Sequence, residues 1–354
     1  LFEQASKIGR SLELDRMCRE TALKGFAEMD GHNRTLLSLN LDISCIDKKV
    51  AGSGTLLSQT EKAGIDNNHI ILEILESMAA STEALLEFIS FYKSKDFLIA
   101  LDDVGSGFSN LARIPLIKPD ILKLDRSLVR DVHKYFYKQE LIRSFVQMAR
   151  RMGSQVVAEG VEDRGEVVCL LKLGIELFQG FYFARPGMAP LQDPALREKI
   201  KDASVAYKKD TTERLSRDRE ITEEYCLIMD RICTTFNYRR NNLRDSLLAQ
   251  CLEAYPMLEC LYILNTEGIQ ISSTICDPER LAQSRQLIYE PAPKGSDHSL
   301  KEYYLPIQAG QKEHITAPYI SLASGNQCVT ISRFLSGGTR ENGIILCADI
   351  ACTN

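Results

Sequence analysis

Short apolar runs, each ending in or carrying a polar side chain, recur through the first half of the chain, with segments of helical period between them. The runs are LLSLN ending at Asn40, IILEI carrying Glu73, FLIAL leading into Asp102 and Asp103, DILKLD carrying Lys123, QVVAEG carrying Glu159 and ELFQG carrying Gln179. Between them lie ALLEFISFY, the stretch from Lys138 to Met152, and VVCLLKLG. Strand patterns alternating with helix patterns predict βα units and a parallel sheet. In a barrel of such units the C-terminal strand ends meet on one face, so these polar residues are expected to ring a single site.

The pattern changes after FARP. From Leu191 to about Tyr255 the chain is rich in charged residues, with Leu215, Ile221, Tyr225, Ile228 and Ile232 at near-helical spacing. That predicts a long amphipathic helix, either a spacer or a signalling helix that pairs with a partner subunit. Beyond Pro256 the runs LECLYILN, IQISSTI, ITAPYISLAS, QCVTISRFL and GIILCADI predict a small antiparallel sheet with flanking helices. The expected division is a barrel domain over 1–190, a linker and helix over 191–255, and an α+β domain over 256–354.

Asp102 and Asp103 carry the strongest chemical signal. Two adjacent carboxylates at the mouth of a buried strand repel each other and lose hydration, and a bound cation relieves both penalties. Taken singly, each candidate has a plainer reading: Asp103 or Asn40 as a turn cap, Lys123 as a solvated lysine, Gln179 as a partner for backbone groups. Glu162 and Asp163 have one as well, as the acidic first turn of the following helix. Asp125 and Arg126 read as a rim pair or as substrate contacts.

The words SLNLD, LEILES, ALDDVGSGFSNL, KPDILKLDRSLV, VVAEGVED and FQGFYFARP, in this order over roughly the first 190 residues, resemble the EAL-domain family of cyclic-di-GMP phosphodiesterases. The resemblance implies a TIM-like (β/α) barrel of EAL type, with Asn40, Glu73, Asp102 and Asp103 as metal ligands. It implies Lys123, Glu159, Glu162 and Gln179 as the rest of the catalytic constellation, and Glu76 as a brace for the loop after Asp103. Two divalent cations, Mg2+ or Mn2+, about 3.5 to 4 Å apart would activate a water for in-line attack on cyclic-di-GMP, giving linear pGpG. The glutamate and arginine of the family's first strand have no counterpart in this chain. Since about eight strands close a small barrel, two strands ahead of Leu1 are expected to complete it. The contrasting reading is a catalytically weak or inactive cyclic-di-GMP receptor, as degenerate EAL domains are thought to be.

The words YILNTEGIQIS, DHSLKEYYLP and APYISLASGNQCVTIS resemble Cache or PAS-like sensor modules. This implies a pocket for an unknown small ligand, for which Asp297, Lys301, Tyr304 and Tyr319 are the candidate lining. The family resemblance also implies a homodimer.

Composition narrows the picture in three respects. A formal charge of −5 over 354 residues lacks the basic surface that polymeric nucleic acid requires. Without a long apolar span or a secretory signal the expected location is the cytoplasm, and an anchor ahead of Leu1 remains compatible with this. Eleven scattered cysteines, none in a CxxC pair, are expected to be reduced, and five unclustered histidines suggest neither structural zinc nor haem.

Overall fold

The computed structural model describes residues 2–41, 55–75, 82–106, 111–187, 194–238, 244–277, 289–335 and 343–352. They form two compact units, residues 1–213 and 214–354.

The first unit is built on a curled, six-stranded parallel sheet whose spatial order follows the chain. Its strands are β1 Leu37–Asn40, β2 Ile70–Leu75, β3 Leu98–Val104, β4 Ile121–Leu124, β5 Gln155–Glu159 and β6 Leu177–Gln179. Each polar residue singled out in the repeating pattern therefore sits at or near the C-terminal end of a strand. Side chains alternate along a strand, so the two faces of the sheet can be read from register. One face presents Leu72, Ile74, Ile99, Leu101, Leu122 and Leu124, all fully buried beneath the helices. The other carries a small apolar layer of Ile71, Ala100 and Ile121, with Leu98 and Val157 against it.

The connecting helices form where the apolar period predicts them. Helix Phe136–Met152 buries Ile142, Phe145, Val146 and Ala149 on one stripe and ends on left-handed Gly153. Helix Arg164–Leu173 starts with a reciprocal capping box, Asp163 accepting from the Glu166 amide while the Glu166 carboxylate accepts from the Asp163 amide. Asp163 is thus the N-cap rather than part of the first turn, and its carboxylate is committed to that helix.

The charged stretch after FARP contains helix Pro194–Tyr238, which both units share, and a second helix Arg244–Ala254. In the first unit its Asp202 and Asp210 pair with Arg164 and Lys172, and Ala203 is buried. In the second unit Ile228, Met229, Ile232 and Phe236 pack on one face of an antiparallel sheet, together with Leu247 and Leu248. Leu215 and Ile221 are exposed.

The second unit's sheet has the order β10-β11-β12-β7-β8, with β9 on β11. Its strands are β7 Leu258–Asn265, β8 Ile275–Cys276, β9 Glu313–Ile315, β10 Tyr319–Ile320, β11 Gln327–Leu335 and β12 Ile344–Ala351. Register places Cys260 opposite Cys276, and the two form a disulfide. This corrects the expectation of free thiols throughout: a cross-strand pairing between cysteines 16 residues apart has no local sequence signature. No helix among the described residues is long and apolar enough to cross a membrane.

Leu72, fully buried in the central part of the parallel sheet, tests how far this core supports the first unit. Leu72→Ala is expected to destabilise the protein by about 2–5 kcal/mol in a denaturant titration. A loss below about 0.5 kcal/mol would contradict the packing described.

Candidate functional site

The site follows from strand pairing and period-2 alternation. Asn40 lies opposite Glu73, and Glu73 opposite Ala100. Ala100 lies opposite Ile121, Lys123 opposite Val157, and Glu159 opposite Gln179. Partners in register share a face, as do residues two apart on a strand. Asn40, Glu73, Asp102, Lys123, Glu159 and Gln179 thus belong to one face, directly above the small Ile71, Ala100 and Ile121 layer.

Strict alternation would send Asp103 to the other face. Instead, the β3–β4 register shifts between Leu101 and Val104, and Asp103 takes a left-handed backbone with φ of 54°. A bulge of this kind re-aims a side chain, and aspartate tolerates the left-handed region better than most residues. As a result, carboxylate oxygens of Asp102, Asp103 and Glu159 all lie within 4.8 Å of one another.

Lys123 occupies the centre of the cluster at 5% exposure. Its Nζ lies 2.8 Å from Glu73 Oε2, 3.2 Å from Asp102 Oδ1 and 2.5 Å from Glu159 Oε1. Burial alone would lower its pKa, but hydrogen bonds to Glu159 and Glu73, together with the Asp102 charge, hold it above the ordinary lysine value. The ammonium is therefore retained at neutral pH. Burial raises the Glu159 pKa against the opposing pull of Lys123. Burial first, and then the charges of Asp102 and Asp125, raise that of Asp103.

One ammonium thus stands among four carboxylates. Two like charges about 4 Å apart repel by about 4 kcal/mol at the effective dielectric of a protein surface, so a single lysine offsets only part of the strain. The donor set consists entirely of hard oxygens, which suits magnesium or manganese and not a thiolate-seeking metal. The residues fit a divalent cation.

At the rim, Glu162 pairs with Arg126 at 2.6 Å, both partly exposed, and Asp125 caps the short helix Arg126–Val129 through the Ser127 amide. A cleft of about 370 Å³ beside them is lined by Arg126, Glu162, Gln179, Phe181 and Arg185, with Arg185 over the Phe181 ring. Gly180 closes the turn after β6, where a β-carbon would meet the Val161 carbonyl oxygen at 2.2 Å. Asn40 and Gln179 are exposed at the two ends of the row. Glu76 lies outside the described residues.

A model of the EAL domain matches residues 1–186, more than half of the chain. The chain belongs to the EAL domain family. YkuI of Bacillus subtilis, an uncharacterized EAL-domain protein, is 24% identical over 300 residues, which covers 83% of this chain and 71% of YkuI. The cyclic di-GMP phosphodiesterase PdeR of Escherichia coli is 39% identical over 118 residues, covering 33% of this chain and 18% of PdeR. The chain spans well under a third of PdeR and of the other phosphodiesterase relatives of this kind, PdeA and NbdA. Among solved structures, YkuI in complex with substrate c-di-GMP and calcium has a TM-score of 0.81 at 22% identity, covering 98% of this chain and 85% of that one. A standalone EAL protein from Vibrio cholerae, in its c-di-GMP bound form, has a TM-score of 0.50 at 27% identity, over 55% of this chain and 84% of that one. The YkuI match establishes that the fold of the EAL barrel and of the antiparallel unit occurs together in another protein.

The second unit holds its own cavity, about 470 Å³, on the sheet face opposite the helices Pro194–Tyr238 and Arg244–Ala254. Asp297, Lys301 and Tyr319 of the expected lining do border it. Tyr304 does not: its hydroxyl donates to the Thr266 carbonyl and lies 3.0 Å from the Gln308 side-chain amide, and its ring belongs to the core. Sequence reasoning missed Tyr262, His298, Tyr303 and Asp349. The available signal was the lone aspartate inside the apolar strand GIILCADI.

Removing Lys123 should leave Glu73, Asp102 and Glu159 facing one another without a counter-charge. Lys123→Ala is expected to lose about 3–5 kcal/mol of stability in EDTA, read by chemical denaturation, and to regain part of it on adding Mn2+. A loss unaffected by the cation would argue against a metal-binding cluster.

Proposed function

We propose that the first unit is a metal-dependent phosphodiesterase that hydrolyses cyclic-di-GMP to linear pGpG. The observation that carries the proposal is the convergence of Asp102, Asp103 and Glu159 oxygens around a buried, charged Lys123 at the strand ends. Membership of the EAL family supports the substrate, as do the cyclic-di-GMP phosphodiesterases and complexes among its relatives.

Asn40, Glu73, Asp102 and Asp103 would hold two divalent cations, Mg2+ or Mn2+, with Glu159 as a further ligand or as the base. When bound, such cations acidify a water and stabilise the charge that builds on a phosphodiester. Lys123, kept charged by its carboxylate partners, would hold the attacking water or offset phosphoryl charge. It cannot serve as a base, because its proton is retained at neutral pH. Glu159, close to Lys123 and less acidic than an ordinary glutamate, is suited to accept a proton from that water. Glu162 and Gln179 border the adjoining cleft and orient the substrate.

In this proposal the antiparallel unit is a Cache or PAS-like sensor for a small molecule. The helix Pro194–Tyr238 transmits its state to the barrel within a homodimer.

The test is incubation of the full-length protein with cyclic-di-GMP and magnesium or manganese, with products separated by chromatography. Linear pGpG should form, EDTA should stop it, and Asp102→Ala or Lys123→Ala should each lower turnover by about 100-fold or more. Tight binding without cleavage under every metal condition would establish the receptor alternative instead.

A further inference from the structure

The cavity of the second unit has a buried carboxylate at its floor, and among the described residues no cation is paired with it. Asp349 on β12 is 3% exposed. Register places it on the same face as Tyr262, Thr330 and Cys347. Among the described residues no lysine or arginine acts on it. Its polar partners are the hydroxyls of Thr330, at 2.7 Å, and Ser321, at 3.4 Å. Burying a carboxylate without a counter-ion is costly, and two hydroxyls leave part of its acceptor capacity unused.

The directions of the surrounding hydrogen bonds can be worked out. Thr330 has a single hydroxyl proton and donates it to Asp349 Oδ1, so in its 2.6 Å contact with Tyr319 the tyrosine must be the donor. Gln270 Nε2 has only acceptors around it, Ser272 O, Thr274 Oγ1 and Ala292 O, to share its two protons, which turns its carbonyl oxygen toward His298. His298 Nε2 therefore carries the ring proton, and Nδ1 accepts from the Tyr303 hydroxyl at 2.6 Å. Burial, with Lys301 nearby, lowers the His298 pKa, consistent with a neutral ring.

The hydroxyl protons of Tyr303 and Tyr319 are both committed within the wall. What these tyrosines and Asp349 still offer a ligand is lone pairs. The outer lining adds the exposed carboxylates of Glu290, Asp297 and Glu302 against the single ammonium of Lys301. Tyr262, Tyr303 and Tyr319 contribute aromatic surface, which favours an organic cation over a hydrated metal ion. A volume of about 470 Å³ is that of a small-molecule site.

We infer that this cavity binds a small organic ammonium ion, its N–H groups donated to Asp349 and the tyrosine oxygens and its carbon body packed on the tyrosine rings. The inference rests on reading the second unit as a small-molecule sensor and names the chemical class that it takes.

A pH dependence follows. Burial, opposed by the Thr330 and Ser321 hydrogen bonds and reinforced by the Glu259 charge, pushes Asp349 up to about 7. The titratable groups facing it are Glu259 and Tyr262 on β7, Cys328 on β11, Cys347 on β12, Tyr319 on β10 and Tyr303. Of these, Glu259 acts on Asp349 through its charge, whose sign raises the pKa further. A carboxyl with a raised folded-state pKa loses stability as pH climbs from its ordinary 3.8 through about 7. A bound cation reverses that loss. A proton therefore competes with the ligand, and affinity for an amine that stays charged should be about tenfold weaker at pH 6 than at pH 8.

The test is calorimetric titration of the full chain with ethanolamine, putrescine and tyramine, each beside its alcohol and carboxylate counterpart. At least one amine should bind, with its neutral and anionic counterparts at least about tenfold weaker. Asp349→Asn should remove the binding and its pH dependence while raising the thermal midpoint at pH 8, since a buried charge is lost. Tyr303→Phe, which keeps the ring and deletes the oxygen, should weaken it several-fold and serves if the Asp349 variant fails to fold. Amine affinity unchanged in these variants or across pH would overturn the inference, and so would binding by none of the panel. Binding of the alcohols or carboxylates alone would overturn the ammonium class while leaving a small-molecule sensor in place. Amine binding that leaves cyclic-di-GMP turnover unchanged would support the ligand class and remove the regulatory reading.

Discussion

Lys123, buried with Glu73, Asp102 and Glu159 around its ammonium, is the interaction on which the EAL unit depends. Four strands must end at matching heights and on one face for these side chains to meet, so the requirement at the rim fixes register throughout the sheet. The same requirement explains the small Ile71, Ala100 and Ile121 layer beneath, which supports long charged side chains without crowding them. It also accounts for the bulge at Asp103: an inserted residue lets the carboxylates of two consecutive aspartates approach one another on one side of the sheet.

Much of this unit was legible in the chain. Strand-end polar residues stood out because a buried parallel strand is apolar almost throughout, and a glutamate inside IILEI or a lysine inside DILKLD breaks that pattern with no structural excuse. The facing of Asn40, Glu73, Asp102, Lys123, Glu159 and Gln179 then follows from alternation. The route by which Asp103 joins them was hidden, because a register shift depends on the neighbouring strand and leaves no local signal. So was the Arg126–Glu162 pairing at the rim, formed between residues 36 apart.

The second unit was read less well for the same physical reason. Its sheet pattern was visible, yet its cavity is composed of side chains brought together by antiparallel register, as is the Cys260–Cys276 bond. Tyr304 was expected at the lining from the resemblance to a sensor module and is instead part of a packed cluster, while Asp349, hidden in an apolar strand, lies at the cavity floor. The two units pose the same electrostatic problem with different answers. The parallel sheet sets a lysine among its buried carboxylates, whereas in the antiparallel unit the side-chain partners of buried Asp349, among the described residues, are hydroxyls.

The most direct measurement of the central claim is calorimetric titration of the metal-free protein with Mn2+, compared with an Asp102→Ala, Asp103→Ala double variant. The account predicts saturable binding by the parent protein and its loss in the variant, with the fold retained. Saturable binding of equal affinity in both proteins, or none in either, would contradict a cation site at the strand ends.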